Sequence, residues 1–273
     1  MKNILVPVDF SECAENALYM AASVAQKVNA ELHLVHTLNM GDSLLLDAED
    51  DALKAAPFIM AMEKKFESYI DKPYLSDIKV SYSVRQTSVH QEIDEIIKEV
   101  NADLIVMGSH GTSGLQEFFI GSNTQKVVRN SKVPVMVIKE KMEGFQIDKA
   151  VFACDFADEN LDSYKSAKSF FESLEIEMKL LFVNTPDNFT STSKIKDKIA
   201  GFFQLLGEEN HPAVEIYNEY NVEDGITAYC RLEKTNFIGI PTHGRKGLAH
   251  IFTGSIGEDI VNHSTYPVVT FKI

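Results

Sequence analysis

A glycine-bearing loop occurs twice in this chain with the same spacing. In the first copy Gly108 and Gly111 follow an apolar run, and nine residues separate Gly111 from Gly121. In the second copy nine residues again separate Gly244 from Gly254. Residues without a Cβ let a ligand approach the main chain and allow a positive φ. One such spacing carries little weight, but two are not expected by chance, so the chain is predicted to consist of two related halves.

The segment after the first loop has the pattern of a short helix. Val127 and Val128 are its apolar residues, and the basic residues Lys126 and Arg129 suit its last turn. A helix start offers unpaired N–H groups and the positive end of the helix dipole, both of which suit an anion. Ser122 can either cap this helix or turn its hydroxyl to a phosphate. The loop is therefore interpreted as a phosphate cradle.

Strand-like and helix-like patterns alternate through the first half. Strands are predicted at 3–8, 32–38, 78–84, 102–107 and 133–138, and helices at 12–28, with Ser11 as N-cap, 58–70 and 93–100. Residues 39–56 are predicted to be an irregular acidic excursion. The alternation indicates βαβ crossovers and a mostly parallel sheet, whose ligands lie at the carboxyl ends of the strands. Asp9, residues 35–37 and the Gly108 loop all fall there.

The pattern restarts after a polar linker. Residues 150–155, 179–185 and 264–270 repeat the first, second and last strands of the first half. We therefore expect one domain at 1–140, a linker at 141–147 and a second domain at 148–273. The second copy lacks about a dozen residues where the first carries its acidic excursion, and loops tolerate such changes.

Composition excludes several classes of function. Forty acidic residues against 26 basic ones give a formal charge of -14, which disfavours nucleic acid and anionic membrane surfaces as partners. The N-terminal apolar run is short and holds Pro7 and Asp9, so it is interpreted as a strand rather than a signal peptide. We expect a soluble, cytoplasmic protein. The chain has three cysteines, Cys13, Cys154 and Cys230. Their odd number and the absence of CxxC spacing favour buried free thiols over a disulfide or a zinc site.

The loop and its context resemble a known family. Gly108-x-x-Gly111, a nine-residue spacer and Gly121-Ser122 follow a Leu-Ile-Val-Met strand and precede a helix and strand 133–138. This arrangement resembles the nucleotide loop of the universal stress protein family, and the resemblance covers nearly the whole chain, twice, as in a tandem two-domain member. It implies an α/β fold of two tandem domains, each a five-stranded, mostly parallel sheet with helices on both faces, similar to adenine nucleotide alpha hydrolases and Rossmann folds.

The resemblance also implies an assembly. The fifth strands of the two halves, 135–138 and 268–271, would pair and make the chain an intramolecular pseudo-dimer. Whether intact chains form a homodimer is left open.

An adenine nucleotide, ATP or another, with or without Mg²⁺, is the implied ligand. Asp9 would accept a hydrogen bond from ribose or base, and Val35 would offer its backbone to adenine. The implied contacts of the first half are Pro7, Val8, Asp9, Val35, Met107, Gly108, His110, Gly111, Gly121, Ser122 and Asn123. Those of the second half are Asp155, Val183, Gly244, Arg245, Gly254 and Ser255. His110 has two interpretations, a phosphate contact or a structural hydrogen bond.

The two predicted sites are not equivalent. The first half carries Thr112 where many nucleotide-binding members have arginine. The second half supplies Arg245 but has Pro241 in place of the first glycine, which removes an N–H donor. The first half is therefore predicted to be the better site.

Three functions compete at this stage. The first is an ATP-binding stress-response protein without strong catalysis, the second a nucleotide-free signalling scaffold that binds an unknown protein partner, and the third a slow ATPase. The chain has no H-E-x-x-H, no G-x-S-x-G and no P-loop lysine, so no catalytic nucleophile or metal site is predicted. His33 and His36 lie three apart on a predicted strand and should face opposite sides, which argues against a shared metal.

Overall fold

The structure of the chain is a computed structural model. It describes residues 1–37, 52–85, 89–110, 121–140, 147–208, 210–242, 260–261 and 264–273, with residues 52–59 and 89–92 described only by their helical backbone. Among the described helices, none is both long and apolar enough to cross a membrane.

Strands and helices alternate in both halves. The strands are β1 Asn3–Pro7, β2 Glu31–Thr37, β3 Val80–Arg85, β4 Leu104–Gly108, β5 Val135–Ile138, β6 Lys149–Ala153, β7 Glu177–Asn184, β8 Val214–Asn218, β9 Phe237–Thr242 and β10 Val268–Lys272. The described helices are α1 Glu12–Val28, α2 Ala52–Ile70, α3 Val89–Val100, α4 Ser122–Asn130, α5 Leu161–Ser173, α6 Thr192–Leu206 and α7 Val222–Glu233.

All ten strands form one sheet, in the order β3-β2-β1-β4-β5-β10-β9-β6-β7-β8. Pairing is parallel within each half, and β5 and β10 join the halves in antiparallel register, with Val268 opposite Val137 and Thr270 opposite Val135. The Thr270 hydroxyl also donates to the Val135 carbonyl oxygen at 3.3 Å. The expected α/β class, two five-stranded halves of mostly parallel strands with helices on both faces, is confirmed.

The helices cover the two faces of the sheet and bury one apolar cluster on each. On one face α1, α2, α5 and α6 pack against residues such as Ile4 and Phe152. On the other, α3, α4 and α7 pack against residues such as Leu5 and Val151. Neighbouring residues of one strand therefore belong to different cores, which explains why the central strands read as continuous apolar runs.

The internal repeat extends to individual hydrogen bonds. Ile105 N–H donates to the Pro134 carbonyl oxygen at 3.0 Å, and Ile238 N–H donates to that of Pro267 at the same distance. Each proline stands just before the last strand of its half. The two halves are thus copies in backbone bonding as well as in sequence pattern.

Two helices begin earlier than predicted, α3 at Val89 rather than at residue 93 and α2 before residue 58. Helix α2 begins at Ala52, so residues 52–56, expected to be irregular, are helical. Leucine, lysine and alanine in this stretch have high helix propensity and outweigh the acidic character on which the prediction rested. The methionine and phenylalanine residues of this helix are expected in the core. Phe66 is buried and Met62 partly so, but Met60 is 67% exposed, so the expectation is wrong for that residue. Residues 39–51 of the predicted excursion lie outside the described residues.

A glycine in β9 allows aromatic rings of the second half to meet. A Cβ at Gly239 would stand 3.1 Å from Phe171 and 3.2 Å from both Phe152 and Phe271. Gly239→Val is therefore expected to overpack this core and to lower the free energy of unfolding by about 1–3 kcal/mol. Urea denaturation of the variant and of the unmodified chain measures the difference.

The matched control is Gly201→Ala, in the interior of α6, where a Cβ would meet nothing within 4 Å. This substitution should raise the free energy of unfolding by roughly 0.5–1 kcal/mol, because alanine loses less backbone entropy in a helix. Equal effects of the two substitutions would contradict the packing assigned to Gly239.

Candidate functional site

The first strand ends beside the second at the carboxyl edge of the sheet. Pro7 pairs with Val35, and the Val8 N–H donates to the Val35 carbonyl oxygen at 2.8 Å. Both valine side chains are buried. The structure thus brings these three predicted site residues together. Because the Val35 carbonyl already accepts a bond within the sheet, any further contact from adenine would have to use its remaining lone pair.

Asp9 forms a tight turn between β1 and α1. Its Oδ1 accepts from the Ser11 N–H at 3.0 Å and from the Ser11 hydroxyl at 2.6 Å. The Ser11 hydroxyl oxygen in turn accepts from the Ala14 N–H at 3.2 Å, so Ser11 is the N-cap of α1, as predicted. Phe10, which lies between Asp9 and Ser11, has a φ of 63°, and a positive φ is uncommon for a bulky residue. One Asp9 oxygen therefore has a structural role.

The rings of Phe10, His36 and Phe66 form an aromatic cluster next to this turn. The sequence analysis did not predict this cluster. The His36 Nδ1 lies 2.8 Å from the Val8 carbonyl oxygen, so this nitrogen carries the hydrogen. The His36 ring packs against Phe10 with centroids 4.8 Å apart, Phe66 lies 5.2 Å from Phe10, and the Lys65 ammonium sits 4.1 Å over the Phe10 ring. The available signal was the Asp-Phe pair that follows the first strand in both halves.

Gly108 makes room for a helix rather than for a positive φ. Its φ lies outside the positive region, so the conformational freedom of glycine is not used here. A Cβ at this position would stand 2.9 Å from the Cys13 Sγ and 3.0 Å from the Cys13 carbonyl carbon. The first turn of α1 thus packs directly on the end of β4. Met107, the neighbouring predicted contact, has its side chain buried in the core.

Ser109 connects the loop to the sheet, and sequence reasoning did not single it out. Its N–H donates to the Ile138 carbonyl oxygen at 2.9 Å. The Cys13 thiol donates to the same carbonyl at 3.4 Å and lies 3.7 Å from the Ser109 hydroxyl. That hydroxyl also lies 2.8 Å from the His110 Nδ1. His110 therefore makes the structural hydrogen bond that was one of its two interpretations.

Helix α4 begins against the end of β4. The Gly121 N–H donates to the Ser109 carbonyl oxygen at 2.8 Å, and the Thr124 hydroxyl donates to that of Gly108 at 2.9 Å. Gly121 is the N-cap, so Ser122 is the first helical residue and does not cap the helix. Ser122 and Asn123 are exposed. By helix geometry the N–H groups of residues 122–124 have no partner within the helix.

The strand register relates Asp9 to this helix start. Ile4 pairs with Leu104 and Leu5 with Ile105 in parallel, so β1 and β4 end at the same edge of the sheet. Asp9 follows the end of β1 by two residues, and Ser109 directly follows the end of β4. The carboxylate, the Ser109 turn and the exposed start of α4 therefore share one edge of the sheet. Gly111 lies outside the described residues.

The second half repeats the turn. Phe156 adopts a φ of 54°, and the Asp155 Oδ1 accepts from the Ala157 N–H at 3.0 Å and from the Asn160 amide at 2.7 Å. The Asp155 Oδ2 accepts from the Lys198 ammonium at 3.0 Å. Both oxygens of this carboxylate thus have partners within the chain, one of them a cation.

The other described parts of the second predicted site are also closely packed. A Cβ on Gly225 of α7 would stand 2.6 Å from the Val183 Cγ1, so this helix rests on the end of β7. Pro241, the counterpart of Gly108, lies in β9 and pairs with Phe271. Four predicted contacts of this half lie outside the described residues: Gly244, Arg245, Gly254 and Ser255.

The three cysteines are free thiols. Cys13 and Cys230 are buried, as expected, whereas Cys154 is only partly buried. Desolvation nevertheless raises the pKa of the Cys154 thiol to about 12 and that of Cys230 to about 11. Both therefore remain protonated and unreactive near neutral pH.

The packing of Gly108 against Cys13 gives a prediction that needs no ligand. Gly108→Ala should lower the free energy of unfolding of the nucleotide-free protein by about 1–3 kcal/mol, because a methyl group would press on the backbone of α1. Chemical denaturation measures this change. Adding Cys13→Ala should restore only part of the loss, since the contacts at 3.0 Å are with backbone atoms. An unchanged stability of Gly108→Ala would show that this glycine serves only ligand approach.

Comparison with known proteins places this arrangement in a family. The model of the universal stress protein family matches residues 1–139. A universal stress protein of Methanocaldococcus jannaschii is 31% identical over 156 residues, which cover 51% of this chain and 96% of that protein. Universal stress protein G of Escherichia coli O157:H7 is 29% identical over 142 residues, covering 50% of this chain and 99% of that protein.

Solved structures resemble the whole chain. A universal stress protein from Archaeoglobus fulgidus superposes with a TM-score of 0.74 at 20% identity, covering 99% of this chain and 98% of that one. A protein from Pseudomonas aeruginosa described as a putative universal stress protein gives 0.65 at 17% identity, covering 100% and 93%. At these identities the likeness concerns the fold alone. Because the family model matches half of the chain and the fold agrees, this chain belongs to the universal stress protein family.

Proposed function

We propose that this protein binds one adenine nucleotide, ATP in the first instance, at the carboxyl edge of its N-terminal half, and acts in the stress response without strong catalysis. The nucleotide would lie among the Asp9 turn, the Ser109 turn and the start of α4. In the cytoplasm, nucleotide occupancy would then be read by a protein partner whose identity is open.

One observation carries this proposal: the bond from the Gly121 N–H to the Ser109 carbonyl oxygen. It fixes the first turn of α4 at the end of β4, and the neighbouring strand β1 ends at the same edge of the sheet, two residues before Asp9. Exposed N–H groups at a helix start are suited to a phosphate, and Asp9 would accept from a sugar hydroxyl on the same edge. Mg²⁺ could accompany the phosphates, since it is commonly held by phosphate oxygens and few protein ligands.

The second half is proposed to lack a nucleotide. Lys198 already places an ammonium group on Asp155, and a ribose hydroxyl would have to displace it. The Val183 end of β7 is covered by α7. This half instead completes the sheet through β10.

Isothermal titration calorimetry with MgATP tests the proposal. The expected result is a dissociation constant below about 1 mM, the weak end of the affinity scale, with about one nucleotide per chain. Gly121→Val should weaken binding at least about tenfold, which corresponds to ~1.4 kcal/mol. Gly121 has φ −59° and ψ 142°, a conformation that valine adopts readily, so this variant obstructs the site without straining the backbone.

The matched control is Lys198→Met in the second half, which should leave the affinity of the first site unchanged. Asp9→Asn tests the carboxylate separately, because its amide oxygen can still accept from Ser11. Absence of adenine nucleotide binding up to millimolar concentration, or equal affinity of Gly121→Val and the unmodified chain, would contradict the proposal.

A further inference from the structure

A serine and histidine cluster lies on the edge strand β3, away from the nucleotide edge. In the described sheet β3 is the terminal strand, and β2 is its neighbour. His33 of β2 pairs directly with Ser81, and Val35 pairs with Ser83. His33, Ser81 and Ser83 share one face of the sheet, because residues two apart on a strand point to the same side.

The hydrogen bonds of this cluster run in one direction. The Ser81 hydroxyl donates to the Leu32 carbonyl oxygen at 3.4 Å, which leaves its oxygen to accept from the His33 Nδ1 at 2.8 Å. Nδ1 then carries the hydrogen of a neutral imidazole, and Nε2 is the acceptor. The Ser83 hydroxyl, 3.0 Å from Nε2, is the donor to it. This order, serine to histidine base to an orienting acceptor, is the general arrangement of an activated nucleophile.

The surroundings keep His33 neutral. The pKa of His33 is lowered below its ordinary value of 6.5, mainly by burial and also by the nearby Arg85 guanidinium. Glu99, which reaches over from α3 and pairs with Arg85, acts in the opposite direction. The imidazole is therefore unprotonated at neutral pH and available as a base.

The cluster is also accessible. Ser81 is exposed, and His33 and Ser83 are half-buried at the sheet edge. A small electrophile can therefore reach the Ser83 hydroxyl without opening either hydrophobic core. A purely structural role for these bonds is the competing explanation, and it predicts no special reactivity.

We propose that Ser83 is a nucleophilic serine, with His33 as its general base and Ser81 as the residue that positions the imidazole, and that it accepts acyl groups from small activated esters. The Ser83 oxygen forms a bond to the ester carbonyl carbon while its proton passes to His33 Nε2. The bond from that carbon to the leaving alkoxide then breaks. The proton on His33 goes to the leaving group or to solvent, which regenerates the base.

Acetylation by p-nitrophenyl acetate tests this proposal on the full chain. Peptide mapping by mass spectrometry should show an acetyl group on Ser83 that forms at least about tenfold faster than on Ser76, since general base assistance is commonly worth more than that. Ser76 is the matched control within the same molecule: it is exposed and donates to a backbone carbonyl, that of Pro73. This comparison requires no variant to fold.

Variants assign the roles. His33→Asn should reduce Ser83 acetylation to the rate of Ser76. Ser81→Ala should slow it, and Ser81→Thr, which retains a hydroxyl on a strand, should restore it. The rate should rise with pH to a plateau, with its midpoint below the ordinary histidine value of 6.5.

Three results would overturn the proposal: equal rates at Ser83 and Ser76, a Ser83 rate unaffected by His33→Asn, or a rate that climbs steadily through alkaline pH as for an unassisted hydroxyl. The proposal is independent of nucleotide binding, so its failure and that of the proposed function are distinguishable.

Discussion

The antiparallel pairing of β5 with β10 is the constraint on which the rest of the structure depends. Both strands are almost wholly buried, and their ladder turns two five-stranded sheets into one of ten. A lone half would expose the backbone groups along its β5 edge, which is a strong site for unwanted association. Joining the halves within one chain removes that edge. Because the Ile138 carbonyl of β5 also holds Ser109 and Cys13, the same strand supports the candidate site.

The two halves show how a repeated fold can diverge in function. Two residues after the end of each first strand comes an aspartate, followed by a phenylalanine at positive φ. Each aspartate accepts from the N–H two residues further on. In the first half this turn stands beside an exposed helix start. In the second half, the Lys198 ammonium donates a hydrogen bond to the Asp155 carboxylate. An exposed pair of this kind contributes little to stability, so it can arise with small energetic consequence while still competing with a ligand.

Local patterns predicted much of the fold, and tertiary contacts account for the rest. Helix α1 has the predicted bounds because the signals for its start, the N-cap Ser11 and the acidic residues of the first turn, lie next to one another in the sequence. The roles of Gly108 and Ser109 were not visible, since they arise from Cys13 and from Ile138, far away along the chain. The Asp155–Lys198 pair, 43 positions apart, is likewise a product of packing. The sequence therefore predicted that the candidate site lies at the carboxyl edge of the sheet, but not which contacts hold its residues in place.

The central claim is that one edge of one half holds the nucleotide, and amide hydrogen exchange with and without ATP tests it most directly. The account predicts slower exchange at the amides of residues 122–124 and in the Asp9 turn, with no change at residues 155–160. Protection of both halves alike, or of neither, would contradict it.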